Sequence, residues 1–240
     1  MRADGNAAMD MSVNPQPVTF AVADGQPVSG LLQAPPSARA CYVMAHGAGA
    51  GMAHPFMASI ANHLAERAIA TFRFQFPYLE RGSKRPDSPK VAMGAVRAAV
   101  AAASRLAPEL PLFAGGKSFG GRMTSQAQAA SPLPGVRGLV FLGFPLHPPG
   151  EPSEARGDHL LHVQIPMLFF QGSRDDFADF ALLQKLAGKL GPRATFWMFD
   201  DADHSFHVPA RSGHTDAEIR VALAGALADW IDRILTATPA

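Results

Sequence analysis

One stretch of this 240-residue chain has the makings of nucleophilic chemistry: Gly116-Lys117-Ser118-Phe119-Gly120, a G-x-S-x-G motif that follows the apolar run at 110–114. A serine hydroxyl attacks a carbonyl efficiently only when a base removes its proton and an acid orients that base. Candidates for both lie downstream, in the order serine, acid, histidine expected of such an elbow. Asp175 stands in the turn Gln171-Gly172-Ser173-Arg174-Asp175-Asp176, with Asp176 as the alternative acid, and His204 stands in Asp200-Asp201-Ala202-Asp203-His204-Ser205-Phe206-His207. Attack creates an oxyanion, which preorganised amides stabilise. The Gly-rich run His46-Gly47-Ala48-Gly49-Ala50-Gly51 offers the Ala48 amide, and the Phe119 amide directly follows the serine. His46 reads as a structural hydrogen-bonding residue, because the base belongs after the acid.

Blander readings compete with each of these. Ser118 is also suited to capping a helix, Asp175 and Asp176 to a solvated turn, and Asp200, Asp201 and Asp203 to a solvated acidic loop. Gly116-Lys117-Ser118 matches the end of a phosphate-binding loop, yet the first glycine of that pattern would fall on Pro111. His204, His207 and His214 are three and then seven residues apart, which matches no standard zinc motif. No metal or other cofactor is expected.

These residues need a frame that brings distant segments together. The chain opens as a hairpin, with strands at 18–23 and 28–33 around Asp24-Gly25. Nearly continuous apolar runs follow at 41–45, 69–76, 110–114, 136–144 and 167–170, with a further strand at 194–199. Strands buried on both faces have this character. Helical spacing occupies 56–67, 91–106, 118–129, 177–190 and 216–235 between and after them. Alternation of this kind predicts an α/β fold: eight strands, mostly parallel, with helices on both faces and chemistry beyond the strands' carboxyl ends. In the helix at 91–106, alanines and Gly94 are expected to let the backbone lie close to the sheet. The segment between Phe144 and Pro166, with Pro148, Pro149 and Pro152, has room for only a minimal lid.

Composition narrows the function classes. With 48% hydrophobic and 17% charged residues the chain can bury a substantial core. The 21 basic and 20 acidic residues nearly cancel, which provides no global field for nucleic acid or a membrane surface. No apolar run is long enough to span a bilayer, and residues 1–14 lack the apolar core of a signal peptide. A single cysteine, Cys41, is compatible with a reducing compartment, so a cytoplasmic location is expected. The organisation expected is a flexible stretch at 1–15 and one domain at 16–240. Arg81, Lys84 and Arg85 fall in a loop on the site's side of the sheet, where solvation explains them better than an acidic substrate does.

Taken together, these segments resemble the α/β-hydrolase fold from about Val18 to Leu235. His46-Gly47-Ala48-Gly49-Ala50-Gly51, Phe76-Pro77-Tyr78-Leu79-Glu80, Gly116-Lys117-Ser118-Phe119-Gly120-Gly121-Arg122, Arg156-Gly157-Asp158-His159-Leu160 and Asp201-Ala202-Asp203-His204-Ser205-Phe206 are similar to a narrower group. That group is the hydrolase-like family containing the third subunit of the NSL acetyltransferase complex, a testis-expressed homologue and bacterial members, with dienelactone hydrolases more distant. The resemblance implies Ser118 as nucleophile, Asp175 as acid and His204 as base. Dienelactone hydrolases use cysteine in place of Ser118, so lactone specificity does not transfer. The expected function is a serine hydrolase acting on a small carboxylic ester or thioester. The alternative is a non-catalytic binding or scaffold protein that keeps the fold.

Overall fold

A computed structural model describes residues 13–237; of the expected flexible stretch, 1–12 lie outside the described residues. Strands β1 (Gln16–Ala21), β2 (Pro27–Gln33), β3 (Ala40–Ala45), β4 (Ile69–Phe74), β5 (Leu112–Lys117), β6 (Val136–Leu142), β7 (Met167–Gly172) and β8 (Ala194–Phe199) form one sheet in the order β1-β2-β4-β3-β5-β6-β7-β8. The opening hairpin is antiparallel and pairs antiparallel with β4; every later pairing is parallel. After β3 the chain builds β4 on one flank and then crosses back to build β5 on the other. This reversal opens a crevice beyond the carboxyl ends of β3 and β5, where ligands bind in open α/β sheets.

The helices are α1 (Pro55–Ala65), α2 (Pro77–Glu80), α3 (Pro89–Leu106), α4 (Phe119–Ala130), α5 (Phe180–Leu190) and α6 (Asp216–Thr236). Apolar residues of α3, α4 and α5 cover one face of the sheet, and those of α1 and α6 cover the other. Buried alanines of α3 (Ala92, Ala95, Ala99, Ala102, Ala103) let it lie close to the sheet. Gly94 has no part in this, since a methyl group there would meet nothing within 4 Å. The 143–166 segment contains one 3₁₀ stretch, Ala155–His162, and no lid is evident.

Several boundaries depart from those expected. The first strand begins two residues earlier, at Gln16. β5 runs on through Gly115, Gly116 and Lys117 rather than ending at residue 114. Glycine makes this extension possible: a Cβ at Gly116 would sit 2.0 Å from the Ala45 carbonyl oxygen of β3. α5 starts at Phe180 instead of 177, because the Asp179 carboxylate accepts from the Leu182 amide and caps the helix there.

Candidate active site

Ser118 occupies the turn between β5 and α4 with φ 49° and ψ −115°, a backbone conformation that costs a non-glycine residue energy. The turn is held under load from its neighbours. The Ser118 amide donates to the Leu142 carbonyl at 3.1 Å, and Gly120 lies so close to β3 that a Cβ would be 2.6 Å from the Ala45 and His46 carbonyl oxygens. Strain here projects the hydroxyl into the crevice, where His204 Nε2 lies 2.8 Å from Ser118 Oγ.

The imidazole is gripped from behind. His204 Nδ1 lies 2.9 and 2.8 Å from the two Asp175 carboxylate oxygens. That geometry places the proton on Nδ1 and leaves Nε2 free to accept from serine. Asp175 is buried, and its charge is compensated by two further donors, the Phe177 amide to Oδ1 at 2.9 Å and the Gln171 side-chain amide to Oδ2. Gln171 is oriented in turn by accepting from the Phe144 amide at 3.0 Å. The Phe177 ring lies against the imidazole, tilted by 30° with 4.2 Å between centroids. Asp176, the alternative acid, is solvent-exposed and has no hydrogen-bond or ion-pair partner among the described residues.

The acidic loop around His204 is spent on its own architecture. Asp203 Oδ1 accepts from the Ser205 and His207 amides at 2.7 and 2.9 Å, which closes the turn that carries His204. His207 pairs with Asp216 at the start of α6, and this pairing raises its pKa. It is not among the residues that line the cavity at Ser118. Among the described residues no group of three or more His, Cys, Asp or Glu side chains is arranged to hold a metal.

The Gly-rich loop lies over the elbow. His46 is fully buried, its Nε2 accepting from the Phe76 amide at 3.1 Å and its Nδ1 meeting the Gly47 carbonyl at 2.8 Å. Burial lowers its pKa to about 4, so it is neutral at pH 7. This pin, together with Gly49 N–H donating to the Tyr78 hydroxyl and Met52 N–H to the Gln75 side chain, fixes the loop's path. The Ala48 amide donates to no protein acceptor among the described residues. The Phe119 amide is the first of α4, where helical N–H groups lack intrahelical partners. Both belong to segments bordering a cavity of about 340 Å³, lined by Ala48, Phe56, Met57, Ser118, Phe177 and His204 among others.

Arg81 does not face this cavity; it pairs with Asp87, and Lys84 and Arg85 are exposed and unpaired among the described residues. A second hydroxyl–imidazole contact, Ser125 Oγ to His159 Nε2 at 2.7 Å, has no carboxylate behind the ring; Ser125 also donates to the Arg122 carbonyl. It ties α4 to the 3₁₀ stretch. Sequence reasoning did not bring out Gln171 or Lys117 as parts of the site, because their contacts with the Asp175 carboxylate and the His204 carbonyl form only once the chain is folded.

A mostly parallel eight-stranded sheet with a serine on the β5–α4 elbow against a histidine on the loop after β8 defines the α/β-hydrolase class. The family whose model matches residues 38–232 is described as an alpha/beta hydrolase domain, and the chain belongs to it. Among solved structures it is similar to a dienelactone hydrolase from Anabaena variabilis (TM-score 0.74, 20% identity, 92% of this chain and 98% of that one). It is also similar to a serine hydrolase without a lid from Xanthomonas campestris (TM-score 0.70, 22% identity, 94% and 97%). A third likeness is to an esterase domain of a Rhodothermus marinus protein (TM-score 0.70, 18% identity, 91% and 98%). At these identities the likeness is one of fold. No helix among the described residues is long and apolar enough to cross a membrane.

Proposed function

We propose that the chain is a serine hydrolase that cleaves small carboxylic esters or thioesters through an acyl-enzyme. The observation that carries this reading is the unbroken contact chain Ser118 Oγ, His204 Nε2, His204 Nδ1, Asp175, which opens onto the 340 Å³ cavity. In the first half-reaction Ser118 Oγ bonds to the acyl carbon as its proton passes to His204 Nε2. The Ala48 and Phe119 amides hold the resulting oxyanion. Collapse expels the alcohol or thiol, which leaves with the proton from His204. Water then repeats the sequence, with His204 taking its proton and returning it to Ser118. Asp175 keeps the imidazole in the required tautomer and stabilises the imidazolium. The absence of a lid among the described residues and the cavity's size, near the lower end of small-molecule sites, favour short acyl groups over long lipid chains. The motifs shared with the hydrolase-like family of the NSL subunit add a narrower kinship to this reading.

Hydrolysis of p-nitrophenyl esters of increasing acyl length, with fluorophosphonate labelling in parallel, tests it. Ser118→Ala should remove labelling and lower kcat by about 10⁴-fold or more with the fold intact. His204→Ala should abolish labelling too. A wild-type protein that neither turns over esters nor takes the label is instead a scaffold that keeps the hydrolase architecture.

A further inference from the structure

Lys117 precedes the elbow serine, and its side chain crosses to the loop that carries His204. Nζ donates to the His204 carbonyl oxygen at 2.5 Å and stands 5.6 Å from the centroid of the Phe206 ring, so both residues flanking Ser205 are engaged by one ammonium. The space for it is made by Gly143, just beyond β6: a methyl group there would lie 3.0 Å from Nζ and 3.4 Å from His204 Cε1. The stem packs under the Gly-rich loop, with Lys117 Cγ 3.5 Å from where a Gly47 methyl would be. No carboxylate lies within ion-pair distance of Nζ among the described residues, although the fields of Asp175 and Asp203 favour the charge.

We propose that Lys117 is a positioning residue: its ammonium anchors the His204 carbonyl and so holds the imidazole at bonding distance from Ser118 and Asp175. This rests on reading Ser118, His204 and Asp175 as a catalytic triad. The anchor is needed because His204 sits on a loop, whereas Ser118 is fixed at the end of a central strand. Tying the loop to β5 itself makes base and nucleophile move as one unit, and a misplacement of about 1 Å can cost two orders of magnitude in rate. The arrangement carries a thermodynamic cost. Burial lowers the Lys117 pKa from 10.5 to about 8, against the pull of Asp175 and Asp203. The unfolded chain therefore binds the proton more tightly, and this group's share of stability rises as pH climbs from about 8 toward 10.5. At neutral pH the folded protein holds a cation whose burial is unfavourable, as functional sites often do.

Function and scaffolding then predict opposite signs. Lys117→Met keeps the stem's volume and removes the cation. With p-nitrophenyl acetate its kcat should fall about 10- to 100-fold while KM stays within about twofold, and its Tm at pH 7 should equal or exceed wild type. The downfield proton resonance of the His204–Asp175 hydrogen bond should broaden or shift. In wild type, kcat should decline as pH rises through about 8, and that limb should be missing from Lys117→Met; the other titratable groups facing Nζ are Asp175, Asp203 and His204. Unchanged kcat in Lys117→Met, or a Tm that falls together with kcat, would overturn the proposal. If Lys117→Met does not fold, a wild-type kcat flat from pH 7 to 10 overturns it. A wild type without esterase activity or fluorophosphonate labelling would instead sink the triad reading beneath it.

Discussion

At the residue scale, the same side-chain type takes two roles according to what surrounds it. His204 meets a buried carboxylate and a hydroxyl, whereas His46 meets a backbone amide and a carbonyl in a sealed pocket. Because His46 must stay neutral when folded, its pKa is lowered from 6.5 to about 4, and the unfolded chain binds its proton first on acidification. Its stabilisation is complete above pH 6.5 and drains away between there and about 4, by at most about 3 kcal/mol. Urea titrations at pH 7 and pH 4.5 should show this loss in wild type and a smaller one in His46→Gln. Asp175 makes the opposite demand, for an acceptor on both oxygens. Asparagine there would present an NH₂ to either the Phe177 amide or the Gln171 side chain, both donors. Asp175→Asn should therefore lower kcat by about 10⁴-fold through the wrong imidazole tautomer and also lose about 1–3 kcal/mol in chemical unfolding.

At the scale of elements, the hydrogen bond between Ser125 on α4 and His159 on the 3₁₀ stretch ties the helix that follows Ser118 to the segment after β6. Burial lowers the His159 pKa to about 4, with help from the nearby Arg122 charge, so the bond is between neutral groups at pH 7. Ser125→Ala strands a partly buried ring nitrogen and should cost about 1–2 kcal/mol in urea unfolding, while esterase kcat changes by less than about threefold. A larger kinetic effect would mean that this tie transmits to the elbow. The elements themselves were largely legible in the sequence, because strands buried on both faces are apolar throughout and Gly116 and Gly120 flank the serine. What local reasoning missed is informative. The run Gly115-Gly116-Lys117 looks like a turn by composition, yet it is strand, since only glycine permits the close approach of β3 and β6 on either side. Gly94 looked like a packing residue and faces open space, while neighbouring alanines do the packing. The pairing of Ser118, Asp175 and His204 could be expected from order along the chain, whereas Lys117 reaching the His204 backbone 87 residues away has no local signal.

At the scale of the whole molecule, the sheet is closed down at its far end and left open at the site. Arg39, just before β3, forms a two-pronged pair with Asp232 near the end of α6, with Nε to Oδ1 at 2.6 Å and an Nη to Oδ2 at 2.8 Å; the same guanidinium donates to the Arg67 carbonyl. Three segments distant in sequence are thus fastened at the amino-terminal edge of the central strands, opposite the crevice. At the crevice, the 143–166 segment contributes one short 3₁₀ stretch, and no cover over the Ser118 cavity is evident among the described residues. An enzyme whose site is gated by an apolar lid gains activity when a lipid surface draws that lid aside, because opening is the limiting step. With no such lid evident among the described residues, a surface has nothing there to displace. Rates on tributyrin should accordingly follow a single hyperbola as concentration passes the solubility limit, with no upward break where emulsion droplets first form. A several-fold jump at that limit would show that a segment of this chain closes over Ser118 in water and must be moved before substrate can enter.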